Sequence, residues 1–217
     1  MAGRWAPDGY STPREYKSSD RWMLAIGLVL ILPVVKFTRP ELGTGASWFA
    51  QWIGQVGETV GFSSFPLLFL LMALLAVVCW ILVSGTIIII LHEGVHYALG
   101  AVLDVNPRFE FHTQLFLPNP NVVAYHEGIG RGENIIMLSG PFAVLSLVCA
   151  SVMWRASGFV AATAAIMFAI NAVPSCGDLY HVGRIARMPR GTLFANFDEE
   201  NGLRTEVVTP QSSTRSV

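Results

Sequence analysis

Charged side chains are scarce in this sequence of 217 residues, since Asp, Glu, Lys and Arg make up only 13% of it. Soluble domains carry roughly 25%. The net charge is −1 and the arginines are scattered, which excludes a nucleic-acid partner. Three cysteines at unrelated spacings argue against a disulfide framework or a zinc knuckle. Five histidines are too few for a di-iron membrane oxidase. The class that remains is a membrane protein.

Apolar residues are abundant instead, at 53% of the chain. Long apolar runs at 22–35, 65–83, 135–154 and 159–173 predict an all-α polytopic membrane protein with about four transmembrane helices. The second run stays almost continuously apolar until it meets a short polar motif, and it reaches about position 102. A straight helix of that length would measure about 57 Å, against a bilayer core of about 30 Å. A break is therefore expected at Ser84-Gly85.

Polar segments divide these runs. Residues 1–21 are predicted to be an irregular cytoplasmic tail, and residues 38–64 an interfacial loop with a short amphipathic helix at 46–60. Eleven Lys and Arg residues fall in segments on the side of the termini and three in the opposite loops, which predicts that both termini are cytoplasmic. The membrane-embedded domain is predicted to cover residues 22–188.

The second half of the chain predicts three further local structures. Alternating polar and apolar residues favour a small β-hairpin after the second apolar run, with strands at 108–112 and 122–126 and a turn at 118–121. A plain loop is the alternative there. A short separate helix is expected after Pro174, and the polar tail at 189–217 is expected to be disordered.

The sequence His92-Glu93-Gly94-Val95-His96 stands inside one of the most apolar parts of the chain. On a helix, side chains four residues apart share a face about 6 Å apart, so the two imidazoles can bind one zinc ion. Glu93 can then reach a water on the metal and act as a general base. Two histidines and a carboxylate in an apolar helix are costly, which indicates a functional site. The alternative is a helix end whose polar residues face water.

A catalytic zinc site needs a third protein ligand. Asp178 is the preferred choice, because it lies at the end of an apolar run and lacks a nearby basic partner within one turn. Asp178 could instead cap a helix that begins at Leu179. His126 and Glu127 are alternative ligands.

Three segments resemble the site-2 protease type of intramembrane zinc metalloprotease, and in particular its small PDZ-lacking relatives described as "putative zincin peptidases". They are the His92–His96 motif, Ser139-Gly140-Pro141-Phe142, and the segment from Asn171 to Asp178. The last departs from the family pattern, because Leu179 rather than glycine follows the aspartate. The resemblance implies that Asn171 hydrogen-bonds the substrate or the tetrahedral intermediate. A buried amide that bonds a neighbouring helix is the alternative.

These features predict an intramembrane zinc-dependent endopeptidase in which Glu93 acts on a zinc-bound water. Its cofactor is Zn²⁺ and its partners are the lipid bilayer and a membrane-anchored protein or peptide, cleaved in or next to its transmembrane segment. The expected location is a prokaryotic cell membrane. The alternatives are a non-catalytic membrane protein that uses the same His/Asp site to bind or transport metal, and an adaptor with a degenerate motif.

Overall fold

The computed structural model describes residues 5–17, 19–61, 66–114, 117–125, 127–199 and 202–211. Its elements follow the order β1 (Arg14–Glu15), α1 (Asp20–Val60), α2 (Pro66–Val102), β2 (Pro107–Gln114), β3 (Leu117–Ala124), β4 (Glu127–Gly130), α3 (Arg131–Arg155), α4 (Gly158–Ile185), β5 (Leu193–Glu199) and β6 (Gly202–Val208).

The four helices are long and apolar enough to cross a membrane, in agreement with the predicted number of spans. In each of α1 and α2, only 6% of the most apolar stretch of 18 residues is buried within the protein. Large side chains such as Leu32 and Leu67 are at least 75% exposed. Exposed apolar area on this scale is stable when lipid covers it, which explains why α1 and α2 can present leucine on most of their surface.

The predicted boundaries of α1 and α4 were wrong. Helix α1 continues through Pro33 and Pro40 across the segment expected to be an interfacial loop, and α4 continues through Pro174 without starting a separate helix. An interior proline costs a helix about 3 kcal/mol. Ending the helix in an apolar environment would leave several backbone groups unpaired, each at a cost of several kcal/mol. Continuing the helix is therefore the less costly choice.

The predicted break at Ser84-Gly85 is also absent, since α2 runs unbroken through both residues. Both are buried. A Cβ atom at Gly85 would lie 3.3 Å from Cδ1 of Ile170, so the missing side chain lets α4 approach α2 closely. Gly85 therefore serves helix packing, a common use of small residues between membrane helices.

The hairpin after α2 is present, but its predicted turn was wrong. Strands β2 and β3 pair without a bulge from Pro107↔Ala124 to Gln114↔Leu117, so Pro118 and Pro120 lie within β3. Residues 115–116, which connect the strands, lie outside the described residues. Among the strands that the structure describes, β3 has a partner on only one side. Prolines are compatible with such an edge strand when their nitrogens point away from the partner.

Both polar tails contain more structure than predicted. Strands β5 and β6 of the C-terminal tail pair with each other, and β1 of the N-terminal tail pairs with β6. With β4 they form an antiparallel sheet in the order β1-β6-β5-β4. Phe194 and Val207, which face each other across β5 and β6, are each 2% exposed and bury enough apolar area to order the tail.

The chain divides into two compact units. Unit 1 comprises Met1–Ala25, Glu93–Pro141 and Cys176–Val217, and unit 2 comprises Ile26–His92 and Phe142–Ser175. Unit 1 holds the sheet, the hairpin and one apolar core cluster, formed by Val105, Ala124, Ile129, Met137, Ile185, Phe194 and Val207.

Unit 2 is helical, and its best-defined contacts are aromatic. Trp80 stacks on Phe159 with ring centroids 4.9 Å apart, and Trp48 lies 5.1 Å from the same ring. The Trp80 indole N–H also donates to the Thr163 hydroxyl at 3.0 Å. These contacts join α1, α2 and α4, and the partly buried indole N–H has a hydrogen-bond partner.

Candidate metal centre

Helix α2 carries the His92–His96 motif in its last three turns, without interruption. The three polar side chains of the motif are buried, His92 at 1% exposed, His96 at 7% and Glu93 at 8%. The alternative interpretation, a helix end whose polar residues face water, is therefore wrong. Residues four apart on one helix lie one turn apart on the same face, so helix geometry alone places His96 beside His92.

Asp178 lies in α4, next to the second histidine. Its Oδ2 atom is 3.4 Å from Nε2 of His96, and the two side chains are only 16% and 9% exposed. A charge-assisted hydrogen bond between such atoms would be about 2.7–2.9 Å long. Two ligands of a tetrahedral zinc ion, bound at about 2.0–2.1 Å each, lie roughly 3.3 Å apart. The observed separation fits two ligands of one ion better than a direct ion pair.

His92, His96 and Asp178 each offer one ligand atom, and these atoms all lie within 4.8 Å of one another. Because α4 continues through this region, Asp178 lies inside the helix and does not cap one that begins at Leu179. Among the described residues, this is the one group of three or more such side chains that could hold a metal ion. Of the alternative ligands, His126 and the Glu127 side chain lie outside the described residues.

The hydrogen bonds of both histidines fit a zinc site. The His92 Nδ1–H donates to the Asn171 side-chain oxygen at 2.9 Å, and the His96 Nδ1–H donates to the Met137 backbone carbonyl at 3.0 Å. A carbonyl oxygen can only accept, so each ring must carry its proton on Nδ1. Each Nε2 then has the lone pair that a metal requires. Bonds of this kind orient the imidazoles of metal sites.

Asn171 has one side-chain atom bonded and one that is not. The residue is 1% exposed, its oxygen accepts from His92, and its Nδ2 has no partner among the described residues. Its backbone carbonyl accepts the Ser175 hydroxyl at 2.7 Å. A buried amide donor without a partner is costly, by about 1–3 kcal/mol. Such an atom is well suited to a hydrogen-bond acceptor that arrives with a ligand.

Glu93 is held from the side of the hairpin. The Val122 backbone N–H in β3 donates to Glu93 Oε2 at 2.9 Å, so this amide points away from β2. The hairpin also contacts the motif helix through Phe109, whose ring stacks on Tyr97 with centroids 5.1 Å apart. The Val122 amide thus fixes one carboxylate oxygen of Glu93 to the edge of β3, and the ring contact joins the hairpin to the motif helix.

A cavity of about 360 Å³ opens within unit 1 beside these groups. Val122 and Met137, whose backbone groups bond Glu93 and His96, both line it. So does Asn134, whose buried Nδ2 has no partner among the described residues. The volume is enough for one amino-acid side chain.

The residues that sequence reasoning missed act mainly through their backbone. Met137 supplies a carbonyl and Val122 an amide, and residue type gives no signal for either group.

His181, also in α4, is bonded elsewhere, with its Nδ1 3.1 Å from the Tyr16 hydroxyl. Burial raises the pKa of that hydroxyl, which Arg184 opposes, so Tyr16 is protonated at neutral pH and can donate.

Comparison with known proteins places part of the chain in a family. A family model described as "Putative zincin peptidase" matches residues 85–193, half of the chain. The matched segment contains all five side chains predicted for the site, His92, Glu93, His96, Asn171 and Asp178. No curated protein and no solved structure matches the chain.

Proposed function

Because the chain belongs to the family described as "putative zincin peptidases", we propose that it is a zinc-dependent endopeptidase of the site-2 protease type. Its substrate would be a membrane-anchored protein, cleaved in or next to the transmembrane segment. The observation that carries the proposal is the group of His92, His96 and Asp178, whose ligand atoms lie within 4.8 Å of one another. His92, His96 and Asp178 would hold the ion.

Glu93 is the proposed general base. A bound zinc ion would lower the pKa of a coordinated water toward 7 and polarise the scissile carbonyl. Glu93 follows directly on a ligand in the sequence, and one of its oxygens is held by the Val122 amide. The carboxylate takes the proton of the attacking water and passes it to the leaving amine.

Asn171 is proposed to act on the substrate as well. Its oxygen accepts from His92, which leaves Nδ2 as a donor without a partner in the described chain. We assign this donor to the oxygen of the scissile carbonyl, where negative charge develops in the transition state. The role agrees with the one that the resemblance implied.

Two cavities support a substrate that is partly embedded in the membrane. In unit 2, an apolar cavity of about 650 Å³ is lined by α1, α2 and α4 and reaches Ile170, the residue before Asn171. In unit 1, the cavity of about 360 Å³ is lined partly by polar side chains. We propose that the first receives apolar residues of the substrate and the second a residue near the scissile bond. The substrate must be unwound there, because a helix hides its own peptide bonds.

The test measures bound metal in detergent-purified protein, comparing the wild type with His96→Ala and Asp178→Asn. About one zinc ion per chain is expected in the wild type, with loss in both variants. The matched control is Asp104→Asn, because Asp104 is an exposed acidic residue at φ 57°, a backbone conformation that asparagine tolerates. A well-folded wild type without zinc would refute the proposal.

Cleavage of a membrane-anchored reporter separates the enzyme from a metal-binding protein. Glu93→Gln should keep the zinc and lose cleavage by about 10²–10⁴-fold, the contribution of a general base. If the wild type and Glu93→Gln bound zinc and cleaved no more than the buffer control, the non-catalytic metal-binding alternative would replace the protease.

A further inference from the structure

Pro141 lies inside α3, which runs unbroken from Arg131 to Arg155. In an α-helix the N–H of each residue bonds the carbonyl four residues earlier. Proline has no N–H, and its ring crowds that carbonyl and tilts it outward. The carbonyl four residues before Pro141 belongs to Met137. The helix therefore offers that acceptor to another donor.

The donor that uses this carbonyl is His96. Its Nδ1–H bonds the Met137 oxygen at 3.0 Å, and both residues are only 7% exposed. A buried carbonyl must find a hydrogen-bond partner. The bond from His96 thus satisfies the oxygen that Pro141 leaves without its helical donor.

Gly140 brings this part of α3 close enough to α2 for the bond to form. A Cβ atom at Gly140 would lie 2.0 Å from Cδ1 of Leu99 and 3.8 Å from Cγ1 of Val95. Val95 and Leu99 lie on either side of His96 in the sequence. A side chain at position 140 would force the end of the Leu99 side chain to move, so glycine allows this approach without that shift. The neighbouring residues Gly140 and Pro141 therefore have separate, complementary effects on His96.

We propose that Pro141 is a positioning residue for His96. By removing the helical partner of the Met137 carbonyl, it reserves that oxygen for the His96 Nδ1–H. The imidazole is thereby held in one orientation, with its proton on Nδ1 and its Nε2 lone pair beside Asp178. This inference rests on the proposed zinc site only for its consequence, since the bond itself is independent of metal.

The test restores the missing N–H with Pro141→Ala and Pro141→Val, the second of which also keeps most of the buried volume. The restored N–H should donate to the Met137 carbonyl in place of His96. The melting temperature of the metal-free protein should then rise, because an interior proline is removed. The zinc Kd, measured by chelator competition, should weaken about ten-fold or more, as on loss of an orienting bond to a metal ligand. A role in folding alone would not move these two quantities in opposite directions.

Pro33→Ala is the matched control, because Pro33 is an exposed interior proline of α1. It should raise the melting temperature and leave the zinc Kd unchanged. Pro141 variants that bind zinc with the wild-type Kd would overturn the inference, and so would a lower melting temperature in both of them.

A wild type that binds no zinc would refute the proposed function. The role of Pro141 would then be tested by a second measurement that needs no metal. Nitrogen-15 NMR of the His96 ring measures the exchange of its Nδ1 proton with solvent, without any metal. Exchange should be slow in the wild type and at least ten-fold faster in both Pro141 variants. Equal exchange rates would overturn the inference.

Discussion

Whether replacing Gly140 with alanine lowers or raises the free energy of unfolding should depend on the size of the side chain at position 99. The added methyl group would lie 2.0 Å from Cδ1 of Leu99, far inside van der Waals contact. Overpacking of this kind costs about 1–3 kcal/mol. In the opposite direction, glycine to alanine inside a helix gains about 1 kcal/mol. Gly140→Ala should therefore lower the free energy of unfolding by about 0–2 kcal/mol.

The same substitution should become favourable once Leu99 is shortened. In a Leu99→Ala background the clash is absent, so Gly140→Ala should raise the free energy of unfolding by about 1 kcal/mol. The coupling between the two sites is then about 1–3 kcal/mol, measured as a double-mutant cycle from the unfolding of four detergent-solubilised proteins. If Gly140→Ala stabilised the protein equally in both backgrounds, the close approach of α3 to the motif helix would be wrong.

Two further predictions concern the groups around the candidate zinc site. Asn171→Leu should weaken zinc binding about 10–100-fold in a chelator competition, because His92 loses its acceptor. Asn171→Asp keeps an acceptor and should hold zinc within a few-fold of the wild type. Its peptide cleavage should fall, since the donor is lost, and equal zinc affinities in both variants would contradict the bond to His92. Val122→Pro removes the amide that bonds Glu93 and should lower the turnover number about 10–100-fold with zinc affinity unchanged. Val122→Ala keeps the amide, so equal turnover in these two variants would show that Glu93 does not need it.

Apolar runs predicted the number of spans well and their ends poorly. The four helices were visible because burial in lipid requires a long stretch without charge. Their ends were not, because proline was treated as a helix terminator as it is in water. Pro33, Pro40 and Pro174 all lie inside helices here. The polar C-terminal tail was misjudged for a different reason, since its strands β5 and β6 pair not only with each other but also with β4 and β1, which lie far away in the chain.

The candidate site was predictable where side chains carry the chemistry. The spacing of His92 and His96 follows from the helical repeat alone, and the structure places Asp178 beside them. The groups that hold these side chains were not predicted, because they are backbone atoms of Met137 and Val122 that come close only after folding. Proline can mark such an atom in advance, since a proline inside a helix identifies a carbonyl four residues earlier that needs another donor.

The prolines of β3 affect whether two molecules of this protein can associate through their strand edges. Pro118 and Pro120 lie two and four residues before Val122, on the side of the strand from which the Val122 amide points to Glu93. From residue 118 to residue 122 that side carries three carbonyls and one N–H, which is already bonded. Two copies of this edge cannot pair as neighbouring strands, because each would present backbone carbonyls to the other and no unbonded N–H to donate. The hairpin beside Glu93 thus resists edge-to-edge aggregation because its prolines remove backbone donors from this edge.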